Sequence, residues 1–102
     1  MKKLLLAASL TFLSTTAIAE TACEQMSQLA KIIMYDRQND MSLTDMSAKL
    51  DGIFVDAGPW RKLGQQIMIQ AYSGGNYNTE SIKTKVIADF ADEWHVQCLV
   101  NG

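Results

Sequence analysis

The sequence predicts an all-α protein, a compact bundle of about four helices closed by one disulfide. Two observations lead to this prediction. Apolar residues recur at helical spacing in each of four segments, and turn-forming residues separate these segments. Two cysteines follow a secretory leader, one near each end of the remaining chain, where they can pair with each other.

The leader covers residues 1–19 and has the pattern of a cleavable signal peptide. A basic start precedes an apolar stretch from Leu4 to Leu13, and Ala17-Ile18-Ala19 is typical of a cleavage site. The apolar stretch is shorter than the roughly 20 residues that span a bilayer. We therefore expect cleavage after Ala19 and a single domain, residues 20–102, in the periplasm of a Gram-negative bacterium or outside the cell.

An alternative is that Cys23 is the lipid-modified cysteine of a bacterial lipoprotein. Such a signal has an aliphatic residue three positions before the cysteine, where this chain has Glu20. The mismatch and the better site upstream favour signal peptide cleavage, with no stable membrane anchor afterwards.

The first two helices are predicted after the leader. Thr21 and Glu24 have the spacing of a capping box, and an apolar face then predicts a helix from Ala22 to Gln38. Ser42 and Asp45 begin the second helix in the same way. The apolar faces are Met26, Leu29, Ala30 and Ile33 in the first helix, and Leu43, Met46 and Leu50 in the second. Ile53-Phe54-Val55 is consistent with either a further helical turn or an extended stretch.

The last two helices have clearer starts. Pro59 suits a first helical position, and Asn78 is the predicted N-cap of the fourth helix, with Tyr77 placed to pack on Ile82 as a hydrophobic staple. The predicted core stripes are Trp60, Leu63, Ile67, Met68 and Ala71, then Ile87, Phe90, Ala91, Trp94 and Cys98.

The predicted disulfide joins Cys23, at the start of the first helix, to Cys98, at the end of the last. Its Cα atoms must lie about 4.4 to 6.8 Å apart, so these two helices have to pack antiparallel. Two free thiols would instead suit a cytosolic protein, which the leader contradicts.

The charge excludes two classes of partner. Removing Lys2 and Lys3 with the leader leaves 7 basic residues against 11 acidic ones, a net charge of −4. Nucleic acids and anionic lipids require clustered Lys and Arg, so neither is an expected partner.

Four residues are candidates for binding: Arg37, Gln38, Tyr72 and Tyr77. The first two end a helix in a polar turn, and the tyrosines flank a glycine-rich loop. Tyrosine and arginine are enriched at interface hot spots. A packing role for the tyrosines, and a helix-dipole role for Arg37, is the simpler interpretation.

The residues predict no catalytic centre, metal site or cofactor. His95 is the only histidine and follows a core aromatic residue, an unusual place for a general base. Methionine thioethers suit Cu(I), but Met26, Met46 and Met68 fall on core stripes. Only Met34 and Met41 then remain as candidate copper ligands.

Several short motifs are spread over nearly the whole chain after the leader: Cys23, Leu29-Ala30, Met34, Arg37-Gln38, Ala71-Tyr72, Tyr77, Thr79-Glu80, Phe90 and the ending from Trp94 to Cys98. This pattern resembles a group of small signal-peptide-bearing proteins of proteobacteria, some of them prophage-encoded. This chain departs from the group at Asp40, where members have glycine after Arg-Gln-x, and at Gly75 or Asn76, where they have proline. No activity is agreed for the group, so the resemblance brings no catalytic residue.

Three functional hypotheses follow. The leading one is a non-catalytic periplasmic module that interacts with another envelope or secreted protein. A periplasmic stress chaperone, or an inhibitor or immunity-type protein, is the alternative within the binding class. A small cell-envelope hydrolase is the alternative enzyme, with His95 and Glu93 as the first residues to mutate.

Overall fold

Four helices make up the part of the chain that the computed structural model describes, residues 21–56 and 58–101. They are α1 (residues 21–38), α2 (Leu43–Ile53), α3 (Pro59–Ser73) and α4 (Glu80–Asn101). No strand occurs in these ranges. The predicted all-α fold class is therefore confirmed, whereas the signal peptide, its cleavage site and Glu20 lie outside the described residues.

Helix α1 packs its predicted face into the core. Ala30 and Ile33 are fully buried, Leu29 and Met34 nearly so, and Met26 packs against this cluster. Thr21 is already helical, so it is not the residue that precedes the helix, as the predicted capping box required.

Helix α2 begins as predicted. The backbone N–H of Asp45 donates to Ser42 Oγ at 3.1 Å, which satisfies one of the amide groups left free at a helix start. Met46 and Leu50 are buried, but Leu43 is half exposed, so its assignment to the core face is wrong.

The structure shows which of the two predicted conformations the segment Ile53-Phe54-Val55 adopts between α2 and α3. The helix ends at Ile53, and Phe54 and Val55 lie outside it. Phe54 packs on Gly64 of α3, where an added Cβ would lie only 3.3 Å from the Phe54 ring. The small residue on α3 therefore provides the space that this aromatic ring needs.

Helix α3 has Pro59 in its first turn and buries Ile67, Met68 and Ala71, as predicted. Trp60 is the exception on this stripe. Its side chain lines a surface cleft with Phe54 and is 36% exposed, so it is only partly a core residue.

The start of α4 differs from the prediction by one residue. The backbone N–H of Lys83 donates to the carbonyl of Thr79 at 2.9 Å, so Thr79, and not Asn78, holds the capping position. Tyr77 is then one residue too early for the staple. The end of its ring lies against Gly75 instead, and Ile82 is 44% exposed.

The disulfide is present between Cys23 and Cys98, with Cα atoms 5.4 Å apart. Farther along the pair of helices, Ser27 Oγ donates to the carbonyl of Ala91 at 3.2 Å. The residue numbers rise along α1 while they fall along α4, so the two helices run antiparallel as predicted.

We expect the variant Cys98→Ser to lower the melting temperature by well over 10 °C. A bridge that closes a loop of this size contributes about 4 kcal/mol, and about 1 kcal/mol shifts the midpoint by roughly 4 to 8 °C in a small domain. Calorimetry of the disulfide-bonded protein measures this shift. The double variant Cys23→Ser/Cys98→Ser should behave alike, and two alkylatable thiols in the wild-type protein would contradict the prediction.

Candidate functional site

The four candidate binding residues meet where the end of α1 contacts the loop between α3 and α4. The sequence separates them by almost 40 positions, and the antiparallel packing brings them together. Four hydrogen bonds join the end of α1 and the turn after it to residues 74–77. We call this contact the α1–loop junction.

Gln38 is the centre of the junction. Its side chain is fully buried, and its amide pairs with the loop backbone in both directions. Nε2 donates to the carbonyl of Gly75 at 2.9 Å, and Oε1 accepts from the N–H of Tyr77 at 2.9 Å. Nε2 also lies 3.4 Å from the sulfur of Met34. Because a buried amide must be hydrogen-bonded, these contacts determine the shape of the loop.

Arg37 and Tyr72 form a second layer beside Gln38. The guanidinium of Arg37 lies over the Tyr72 ring, 5.0 Å from its centroid, and donates to the carbonyl of Gly74 at 3.2 Å. The hydroxyl of Tyr72 donates to the carbonyl of Met41 at 2.7 Å. Burial raises the pKa of Tyr72, and the positive charge of Arg37 partly opposes this. Both side chains are therefore engaged within the fold.

Asp40 and Asn76 close the outer edge of the junction. Asn76 Nδ2 donates to Asp40 Oδ1 at 2.7 Å. Asp40 has a φ of 69°, a left-handed conformation that glycine adopts most freely and aspartate tolerates better than most residues.

Tyr77 is the candidate whose side chain remains available to a partner. Its backbone is held by Gln38, but 41% of the residue's surface is exposed. The junction therefore presents one tyrosine on a loop whose backbone is held by hydrogen bonds from the neighbouring helix.

The residues named for hydrolase chemistry do not meet. His95 lines a cleft of about 470 Å³ with residues of α1, whereas Glu93 lines a different depression on the outer side of α4. Residues two apart on a helix do not face each other, which explains the separation.

The two methionines that the sequence left as candidate copper ligands both pack in or against the core. Met34 is buried in the core, and Met41 packs against its edge. Within the described residues, no three His, Cys, Asp or Glu side chains converge in a way that could hold a metal ion. Nor is any helix in this part of the chain long and apolar enough to cross a bilayer.

The sequence interpretation missed one surface, the outer side of α4. Val96, Leu99 and Val100 are each more than half exposed there, beside Asp92 and Glu93. The sequence contains a usable signal for this surface, because apolar residues of α4 fall on both sides of the helix rather than on one.

Comparison of the chain with known protein families, curated proteins and solved structures found no match.

We expect Gln38→Met to destabilise the protein by about 2 kcal/mol. The change keeps the length of the side chain but removes two hydrogen bonds, each contributing about 1 kcal/mol. Urea unfolding measures the difference. Gln28→Met is the matched control, since Gln28 is exposed on the same helix and its loss should stay within about 0.5 kcal/mol. Equal effects at both positions would show that Gln38 does not hold the loop.

We also expect stability to fall at alkaline pH because of Tyr72. Its folded-state pKa is raised, so the neutral hydroxyl stabilises the fold below the unfolded value near 10, and this contribution is lost as the pH rises above that value. Tyr72→Phe should reduce the decline in melting temperature between pH 9 and pH 11. Tyr35→Phe, at an exposed tyrosine, is the control that should leave the decline unchanged.

Proposed function

We propose that the protein is a non-catalytic periplasmic interaction module that binds another envelope or secreted protein through the α1–loop junction. The observation that carries the proposal is the buried Gln38, whose two hydrogen bonds hold the loop backbone while Tyr77 stays exposed.

The free-energy cost of burying the polar side chain of Gln38 supports a functional role for the shape of the loop that it holds. An apolar residue would pack into the core at this position without needing partners, whereas a buried amide is tolerated only because its hydrogen bonds are made. Four hydrogen bonds to a loop of four residues hold it in one conformation. A loop that is ordered beforehand loses less entropy on binding, which favours recognition by this surface.

Tyr77 supplies the contact chemistry. A tyrosine offers a large apolar ring and a hydroxyl on a side chain with few rotatable bonds, so its ordering costs little entropy. Asp40 and Asn76 are exposed next to it and add polar groups at the edge. The surface thus combines an aromatic centre with a polar rim, as protein interfaces do.

The disulfide supports the location. The bond between Cys23 and Cys98 is compatible with a protein that works outside the cytoplasm, where disulfides persist. The sequence signal for export makes the periplasm the proposed compartment.

The test is capture from a periplasmic extract with the immobilised, exported protein. The wild-type protein should retain a partner that Tyr77→Ala loses by about tenfold or more, because truncating a hot-spot side chain costs 2 kcal/mol or more. Val55→Ala is the control, since Val55 is 79% exposed at the other end of α3, a helix of 15 residues and so about 20 Å long.

Circular dichroism establishes that each variant is folded. Retention of the same partner by Tyr77→Ala, or no partner above background with the wild-type protein, would contradict the proposal.

A further inference from the structure

We propose that the outer face of α4 docks a basic amphipathic helix of a partner protein. This goes beyond the proposed function, because the α4 outer face shares no residue with the α1–loop junction. The α4 outer face consists of Asp89, Asp92, Glu93, Val96, Leu99 and Val100.

The three apolar residues of this face are exposed to solvent. Val96 is 58% exposed, Leu99 52% and Val100 77%. They cluster within the last two turns of α4, while Phe90 and Trp94 face the core on the other side of the helix. A surface helix normally places polar residues on its outer side, so this end of α4 breaks the pattern of a helix that packs on one face only.

The acidic part lies one turn before the apolar part. Asp89, Asp92 and Val96 line one shallow depression of about 440 Å³. Asp89 pairs with Lys85, whereas Asp92 and Glu93 have no ion-pair partner among the described residues. The two charges are therefore available to a cation from outside the domain.

The charge of α4 is unbalanced along its axis. Residues 86–101 contain three carboxylates and neither lysine nor arginine. The last turn of a helix carries the negative end of the dipole, and the last turn of α4 contains no basic residue to complement it. A partner with Lys or Arg next to its apolar residues supplies the missing positive charge and covers the apolar residues at the same time.

A helical partner fits the geometry of the face. Its acidic and apolar residues follow one side of α4, with spacings of three and four from Asp89 to Val100. A second helix can align along such a stripe, with its own apolar and basic side chains at the matching spacings. A second copy of this chain fits less well, because its own α4 outer face contains neither lysine nor arginine and would leave these carboxylates without a positive partner.

The test uses a synthetic 18-residue amphipathic helix of leucine and lysine as the probe, and a leucine–glutamate helix of the same length as its control. Fluorescence anisotropy gives the affinity for the exported protein, and backbone amide NMR shifts locate the contact. The lysine probe should bind, shift residues 89–100, and lose affinity as the salt concentration rises, whereas the glutamate probe should not bind.

Two variants of the α4 outer face separate the apolar contribution to probe binding from the electrostatic one. Val96→Gln/Val100→Gln should weaken the lysine probe by about tenfold, which corresponds to about 1.4 kcal/mol. Asp92→Asn/Glu93→Gln should remove most of the salt dependence. Ile69→Gln, at an apolar residue of α3 that is 64% exposed, is the matched control and should bind as the wild-type protein does.

The proposal is overturned by any of four results: no binding of the lysine probe, equal binding of both probes, shifts confined to other residues, or affinity unchanged in Val96→Gln/Val100→Gln. A wild-type dimer in sedimentation that this variant converts to a monomer would also overturn it, in favour of a second copy as occupant. Because the probe is synthetic, its result does not depend on whether Tyr77 captures a partner from an extract.

Discussion

The arrangement of the whole domain depends on the antiparallel contact between α1 and α4, which the Cys23–Cys98 bridge closes at one end. These two helices are the most distant in sequence, so bringing them together requires closure of almost the entire chain, with a large loss of entropy. The covalent bond removes most of that entropy from the unfolded state. Helices α2 and α3 then complete a core to which every helix contributes.

The way in which α1 packs into the core also determines which of its residues meets the loop at the other end of the helix. With Ile33 and Met34 in the core, Gln38 falls one turn later on the buried side, where it meets the backbone of the loop between α3 and α4. The loop has few apolar residues of its own to hold it in place. Its order depends instead on hydrogen bonds from α1, which links the shape of the proposed recognition surface to core packing.

The domain therefore presents two surfaces of different character. The α1–loop junction is polar, tightly hydrogen-bonded and centred on one tyrosine, whereas the α4 outer face is acidic and apolar with few internal contacts. Contacts within the fold explain the residues of the α1–loop junction, except for the exposed side chain of Tyr77. The apolar residues of the α4 outer face, by contrast, stay exposed to solvent and are not part of the core.

The sequence by itself determined the four helices, most of the core residues and the cysteine pair, because helical periodicity is a local property of the chain. Pro59 and Ser42 illustrate this, since each marks a helix start within its own turn. The sequence also named four residues as binding candidates, Arg37, Gln38, Tyr72 and Tyr77. Only the tertiary structure decided that Gln38 pairs with the loop and that Tyr77 lies on Gly75. It also decided that Trp60 and Leu43 stay partly exposed. These outcomes depend on which helix covers which face, and that is a property of contacts between residues distant in sequence, which local patterns do not contain.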